Sequence, residues 1–531
     1  MIKIIFAFAF MLLATATTFA QIPSIIEKDG RHSLLVDGKP FLILGGQAHN
    51  SSGWPAVLPH VWQSAQYMHL NTLEVPIYWE QVEPTEGEFD FSLIDTLLAQ
   101  ARLHKMHLVL LWFATWKNGS NHYMPAWMKM DAAKYPNITG KDGKPVDSPS
   151  PHTDATLQAD KKAFASVMLH LKKADLLHTV IMVQVENEPG AWGSVRDYST
   201  QAQLLFEGAV PAELLKPELL KTLNAAATAG TWKQVFGERA DEYFHAWYVA
   251  RFIGEVAAVG KAAYPLPVYV NAALRDPLTN PPATHYESGG PTDNVIPIWK
   301  VAATAIDIEA PDIYLSGNEK VLKVLDLYAR NDNALFVPEA GLNAVNAKYF
   351  YAVLAHGGIG FSPFGIDDNG DTSRDEKLTE RLTAFAHEYA IASTMMRELA
   401  KWSFDGKIKS VVEGDDHTAQ TTDLGAWQAI VFFGGSGRGN AAPTYDEPTG
   451  KAMFVQLDEN KFIVIATKCH ITFQPTGNNT GKAWQYVKVE EGYYKNGTFV
   501  PLRILNGDET DWGGPGFGTS PNVLQVSLVV R

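Results

Sequence analysis

The run Val183-Gln184-Val185-Glu186-Asn187-Glu188-Pro189-Gly190 decides how this chain is read, because an apolar segment ends in Asn-Glu and then in a Pro-Gly breaker. Such a segment reads as a strand of a parallel barrel delivering polar side chains to the C-terminal mouth. A carboxyl at that place has one apolar flank and one open side, so it holds its proton to higher pH than in water. Glu188 is therefore a candidate general acid. The plainer alternative is a strand that ends in a solvated acidic turn.

Around that run, short apolar stretches alternate with segments of helical period, the pattern of repeated βα units. Eight strands are expected, near 41–45, 72–75, 107–113, 180–186, 268–271, 306–308 (or reaching Ile313), 335–337 and 358–361. Helices are expected over 91–104, 161–177, 241–263, 320–330 and 379–391. Two connections are longer than ordinary βα loops, 114–160 and 189–239, and loops on that face build a barrel's site. The first carries Trp116, Asn118, Tyr123 and Trp127, an aromatic density that suits a sugar-lined wall. The second includes 211–229, helical in pattern, which reads as a lid or as packing.

After about residue 400 the texture changes to short alternating β-prone runs, at 429–433, 462–467 and 523–530, with long loops at 434–450 and 506–521. The fold class expected is α/β: a (β/α)8 TIM barrel followed by a C-terminal β-sandwich. The divisions expected are 1–20, 21–400 and 401–531. A chain of 531 residues suits two domains.

Residues 1–20 read as a signal peptide, with Lys3 at its positive start, an apolar centre and Thr18-Phe19-Ala20 before the cut. The expected destination is the periplasm or the cell exterior. No later run approaches the roughly 20 apolar residues of a membrane span, so no stable membrane insertion is expected once the signal is removed. The net charge of −14 argues against nucleic acid as a partner, and 14 Trp with 19 Tyr suit a carbohydrate. A lone cysteine, Cys469, allows no intrachain disulfide. Neither a His-Glu-x-x-His run nor a calcium-loop pattern occurs, and the chemistry below calls for no metal or other cofactor.

A second acid at a strand exit comes from Leu335-Phe336-Val337-Pro338-Glu339-Ala340-Gly341. Glu188 would leave strand four and Glu339 strand seven, exits that face each other across the mouth of an eight-strand barrel. Carboxyls about 5–5.5 Å apart favour a covalent glycosyl-enzyme and retention, whereas about 6.5–9.5 Å leaves room for water and inversion. Retention is the reading adopted, with Glu339 as nucleophile and Glu188 as acid, then base. Their oxygens must then lie well within about 10 Å of each other. Asn187 would hydrogen-bond the sugar's 2-hydroxyl, or else cap the turn. Tyr314 would orient Glu339 and keep it ionised, or else pack at the rim.

These residues resemble the retaining (β/α)8 glycoside hydrolases, and among them glycoside hydrolase family 35, the β-galactosidases. The stretch 183–190 resembles that family's Val-Gln-Val-Glu-Asn-Glu motif, which implies the acid/base role for Glu188 and a sugar contact for Asn187. Gly45-Gly46-Gln47-Ala48-His49-Asn50 and the segment from Val75-Pro76 to Phe91 are similar to its early barrel segments. The resemblance covers about residues 30–395. Pro189 and Pro338 stand where common members carry Tyr and Ser. It implies a secreted bacterial exo-β-galactosidase with an added β-domain, in a group whose substrates include galactosylated xyloglucan side chains.

Further polar candidates for substrate contact are Gln47, His49, Asn118 and Asn271, the last for its position at a strand end. His49 reads equally as a scaffold histidine. Glu287 is a loop acid with little positional support, and Glu80, Glu83, Glu86 and Glu88 read as a solvated charge run. Two alternatives stay open: another retaining barrel glycosidase (a β-glucosidase or an endo-glycanase), or a glycan-binding barrel without activity.

Overall fold

The computed structural model describes residues 21–367, 375–433 and 447–531. The expected signal peptide and most of the loop read at 434–450 lie outside the described residues.

Eight parallel strands form the barrel: Ile43–Gln47, Thr72–Tyr78, His107–Lys117, Val180–Asn187, Val268–Ala273, Ile308–Ile313, Glu339–Ala340 and Gly360–Phe361. The sheet closes where Val337 bridges Phe361, with Val337 N donating to Gly360 O at 3.3 Å and Ile359 N to Leu335 O at 2.9 Å. Strands two to four are buried along nearly their whole length, so they read as apolar runs rather than as alternating strands. Strand one begins two residues later than expected, which carries Gln47 to the mouth.

Helices lie where the sequence places them at Ser92–His104, Ala240–Ala263 and Asn318–Tyr328, and at Asp375–Thr394 the helix outruns its expected span at both ends. The helix expected at 161–177 runs instead over Asp154–Ala174. Asp175 ends it, accepting from Thr179 N at 2.9 Å, Val180 N at 2.7 Å and Arg102 at 2.8 Å. The helical reading of 211–229 holds over two short pieces, a 3-10 helix at Ala212–Leu215 and an α-helix at Pro217–Thr222, and does not reach residue 229. Lys216 is extended because it precedes proline, and Pro217 then starts the second piece.

A three-stranded antiparallel sheet, Ser24–Lys28, Arg31–Val36 and Lys39–Phe41, precedes the barrel and was not expected. Its turns are Asp29-Gly30 and Asp37-Gly38, all four residues at positive φ, which is the two-residue hairpin signature. Arg31 donates to Ser403 O at 2.9 and 2.7 Å, tying this sheet to the helix Met396–Phe404.

Among the described residues from Ile408 onward, two antiparallel sheets dominate. One sheet has six antiparallel strands in the order Ile408–Val412, Lys451–Asp458, Lys461–Thr467, Asn522–Val530, Trp484–Lys495, Thr498–Leu505. The other has four: Gln420–Asp423, Trp427–Phe433, Cys469–Pro475 and Gly516–Phe517. Strand Lys461–Thr467 shows how the layers fit. Phe462, Val464 and Ala466 enter the core between the two sheets, while Ile463 and Ile465 join the core of the barrel. Lys451 and Glu388, both buried, pair across that contact at 2.8 Å, and Lys348 Nζ donates to Glu413 O and Pro448 O at 2.8 Å each.

Candidate active site

The exit of strand four is strained. Glu186 and Glu188 have φ of 64° and 42°, the left-handed region that residues with a side chain seldom occupy. The extended third strand over-determines it. Asn118 N donates to Asn187 O at 3.1 Å and Gly119 N to Glu188 O at 3.0 Å, while Trp116 N donates to the Glu186 carboxyl at 2.7 Å. From the other side Asn271, on strand five, accepts the N–H of Glu188 at 2.9 Å. Under the turn lies Asp160, bound by Trp112 Nε1 at 3.0 Å and Thr115 Oγ1 at 2.5 Å and hydrogen-bonded to Glu186. Burial raises both acids' pKa values, that of Glu186 well above the usual range.

The second acid, Glu339, is reached from two other strands. Gln47 Nε2 donates to one of its oxygens at 3.1 Å and Tyr314 OH to the other at 2.5 Å. One carboxylate oxygen from each of Glu188, Asp312 and Glu339 lies within 4.8 Å of the other two. Among the described residues these three acids are also the group placed closely enough to hold a cation. Asn118 Nδ2 donates to Glu188 at 2.5 Å, Asn271 Nδ2 to Asp312 at 2.6 Å, and Lys117 Nζ to Asn118 Oδ1.

Burial, and next the negative charge of Glu339, push Glu188 up to about 7, against the opposing pull of Lys117. Asp312 is held well above the usual carboxylate range by burial and then by the charges of Glu339 and Glu188. Burial beside a charged neighbour thus favours the protonated form of Glu188 and of Asp312, and Glu188 has a proton to give near neutral pH.

The site candidates divide as follows. Glu188, Glu339, Gln47, Tyr314, Asn118 and Asn271 converge on one cluster. Asn187 is fully buried beside them, its amide 3.0 Å from Gln184, 3.3 Å from Asn271 and 3.1 Å from Lys117. His49 is clamped to Asp367, by its backbone at 2.9 Å and Nδ1 at 3.1 Å, with its ring edge-on to Phe364. Trp116 is corrected: it is fully buried and packs edge-on against Phe252 of the long helix, not on a sugar wall. Strand three, expected to stop at 113, continues to Lys117 with a register slip after Trp112, so Trp116 belongs to the strand and not to the connection. Glu83 is buried as well, accepting Trp79 Nε1 at 2.9 Å and Gly87 N at 2.7 Å, and so leaves the solvated run.

Asp312, Lys117 and Trp192 were missed, and Glu287 was undervalued. Pro311-Asp312-Ile313 carries the same signal as the motif around Glu339, an acid where an apolar strand exits. Glu287 is pushed up to about 8 by burial and then by the charge of Glu188, and it accepts the indole N–H of Trp192.

Residues 54–241, which include Glu188 but not Glu339, match a family model described as "Beta-galactosidase". Residues 385–514 match one described as "Domain of unknown function (DUF5597)". A beta-galactosidase of Xanthomonas manihotis is 29% identical over 213 residues, 38% of this chain and 32% of that protein. Beta-galactosidase 17 of Arabidopsis thaliana is 29% identical over 177 residues, 30% of this chain and 22% of that protein. The matched stretches thus span about a third or less of those relatives' own length. The crystal structure of the beta-galactosidase from Bacillus circulans sp. alkalophilus superposes with a TM-score of 0.50 at 14% identity, over 67% of this chain and 57% of that one, a likeness of fold.

Proposed function

We propose that this chain is an exported, retaining exo-β-galactosidase that removes terminal β-D-galactosyl residues from plant-wall oligosaccharides, galactosylated xyloglucan side chains among them. The observation that carries the reading is the meeting of Glu188 and Glu339, with one oxygen of each within 4.8 Å of the other. That is close to the roughly 5–5.5 Å of retaining pairs and short of the roughly 6.5–9.5 Å that an intervening water needs.

In the first step Glu339 attacks C1 of the galactosyl ring as the bond from C1 to the glycosidic oxygen breaks, and Glu188 gives its proton to that departing oxygen. In the second, Glu188, now a carboxylate, takes a proton from water, whose oxygen attacks C1 and releases Glu339. Gln47 and Tyr314 hold the two oxygens of Glu339 in place, and Asn118 and Asn271 hold Glu188 by its carboxyl and its backbone. Asn187 serves the 2-hydroxyl. Neither step requires a metal or an organic cofactor.

Membership of glycoside hydrolase family 35 is part of the proposal. It rests on the 183–190 motif, while the family model that matches is named for glycoside hydrolase family 42. Export rests on the pattern of residues 1–20. Among the described residues no helix is long and apolar enough to cross a membrane.

The test is proton NMR of the first product released from aryl β-galactosides and from galactosylated xyloglucan oligosaccharides. β-Galactose should appear first and mutarotate later. First release of α-galactose overturns retention, and failure on every galactoside beside cleavage of glucosides overturns the sugar assignment.

A further inference from the structure

Four residues past Glu188 the chain sets Trp192 on the rim with 48% of its surface exposed. A single exposed tryptophan is ordinary, yet this one is built in. Its indole N–H donates to Glu287, a carboxyl only 3% exposed, so the ring is clamped from beneath.

The two loops that carry the pair are zipped together: Ala191 N donates to Ser288 O at 2.9 Å and Ser288 N to Ala191 O at 3.1 Å. Glycines make that approach possible. A Cβ on Gly190, at φ 134°, would stand 2.7 Å from Ser288 O, and one on Gly290 would stand 2.3 Å from Pro189 O. At the strand-three exit, a Cβ on Gly119 would reach Trp192 Cδ1 at 3.4 Å and Glu287 Cγ at 3.5 Å, so the platform abuts the segment bearing Asn118.

The pair also has a side. The strand-three exit that abuts it serves Glu188, with Gly119 N donating to Glu188 O at 3.0 Å and Asn118 Nδ2 to the Glu188 carboxyl at 2.5 Å, whereas Glu339 is held from elsewhere by Gln47 and Tyr314. Trp192 and Glu287 therefore stand by the acid/base, where the departing group of the proposed reaction leaves, rather than by the nucleophile. A flat indole face held rigid at that place suits the C–H face of a neutral pyranose.

We infer that Trp192 is the stacking platform for the leaving-group sugar and that Glu287 is its positioning residue. The inference rests on the retaining reading above and extends it to the acceptor side. By microscopic reversibility the same platform receives a sugar acceptor that replaces water in the second step.

The experiment separates the two readings. The full chain is first treated with 2,4-dinitrophenyl 2-deoxy-2-fluoro-β-D-galactopyranoside. Glu339 displaces dinitrophenolate, and intact-mass spectrometry reads the covalent adduct. Reactivation is then followed against the concentration of methyl β-D-xylopyranoside, whose hydroxyl attacks C1 and frees Glu339. In the wild-type chain the rate should rise and saturate. Trp192→Ala should raise the half-saturating concentration on the order of tenfold, as expected from loss of one aromatic face. Trp192→Phe, which keeps a face, and Glu287→Gln, which keeps an acceptor for the indole, should stay within about threefold, while Glu287→Ala should follow Trp192→Ala. An adduct whose half-saturation is the same in wild type and Trp192→Ala overturns the platform and leaves the retaining reading standing. No adduct in the wild-type chain overturns the retaining reading, and this inference with it.

Discussion

Asn271 accepts the backbone N–H of Glu188 at 2.9 Å while its own Nδ2 donates to Asp312 at 2.6 Å, so one buried amide ties the exits of strands four, five and six together. The N–H it receives belongs to a residue at φ 42°, a conformation the local chain does not favour. Asn271→Ala leaves that donor without its partner, a loss of roughly 1–3 kcal/mol, and frees the turn that aims the acid. The expected outcome is a fall in kcat/KM of about ten- to a hundredfold on galactosides with poor leaving groups, with a lowered Tm by scanning calorimetry. Unchanged kcat/KM would show that Glu188 keeps its aim without the amide.

Why that amide could be found in advance, and its neighbours could not, is a matter of which contacts lie along the chain. Asn271, Glu188 and Glu339 each sit where an apolar run stops, and the stop marks the barrel mouth whatever the rest of the fold does. Tyr314 and Gln47 follow from the same register. Trp116 does not, because strand three runs on through a register slip to Lys117, past the point where its apolar run was expected to stop, and buries a side chain read as part of a loop. The clamp of Trp192 by Glu287 depends on two loops 95 residues apart that pair through a single bridge. Nothing in either loop alone announces the other. The sheet before the barrel was legible after all: its two Asp-Gly turns carry the hairpin signature, but its strands are short and half-exposed and lack a strong apolar pattern.

The charge of Lys117 gives the acid a tunable pH limit. Glu188 works protonated, so kcat/KM on substrates that need the acid should fall as pH rises through about 7. Lys117 opposes the rise in the Glu188 pKa, and Lys117→Met should move that alkaline limb to higher pH. The sign for stability is separate. The folded value lies above the ordinary 4.5 of a free carboxyl, so between 4.5 and about 7 the folded chain binds more protons and this group's contribution falls as pH rises. Paired pH profiles of kcat/KM for the two proteins check the first statement. A limb that stays put or moves to lower pH would remove Lys117 from the electrostatics of the acid.

Ile463 joins the β-domain to the barrel, since it is fully buried in the barrel's cluster while Phe462 and Val464 beside it point into the sandwich. Truncation to alanine at such a site costs roughly 2–5 kcal/mol. If the β-domain braces the barrel, Ile463→Ala should lower the urea midpoint read by loss of activity and the one read by near-UV circular dichroism by the same amount. A midpoint for activity that does not move would mean the barrel stands without its partner. Lys451→Met should act in the same direction, because it leaves Glu388 buried without the cation now 2.8 Å away.

Azide distinguishes the two acids by the stereochemistry of its product. Glu188→Ala should still be glycosylated by 2,4-dinitrophenyl β-galactoside, whose leaving group needs little protonation, but should then stall because no base activates water. Azide needs no base. It should attack C1 of the Glu339 ester from the open face, restore turnover and yield β-galactosyl azide. Glu339→Ala lacks the nucleophile and should lose turnover on the order of a thousandfold or more even with that substrate. In this variant azide would fill the space left by the carboxylate, attack the intact β-galactoside directly and yield the α-azide. Product NMR of the two rescued reactions is the measurement. An α-azide from Glu188→Ala with a β-azide from Glu339→Ala would exchange the two roles, and full activity of Glu339→Ala without azide would take Glu339 out of the reaction.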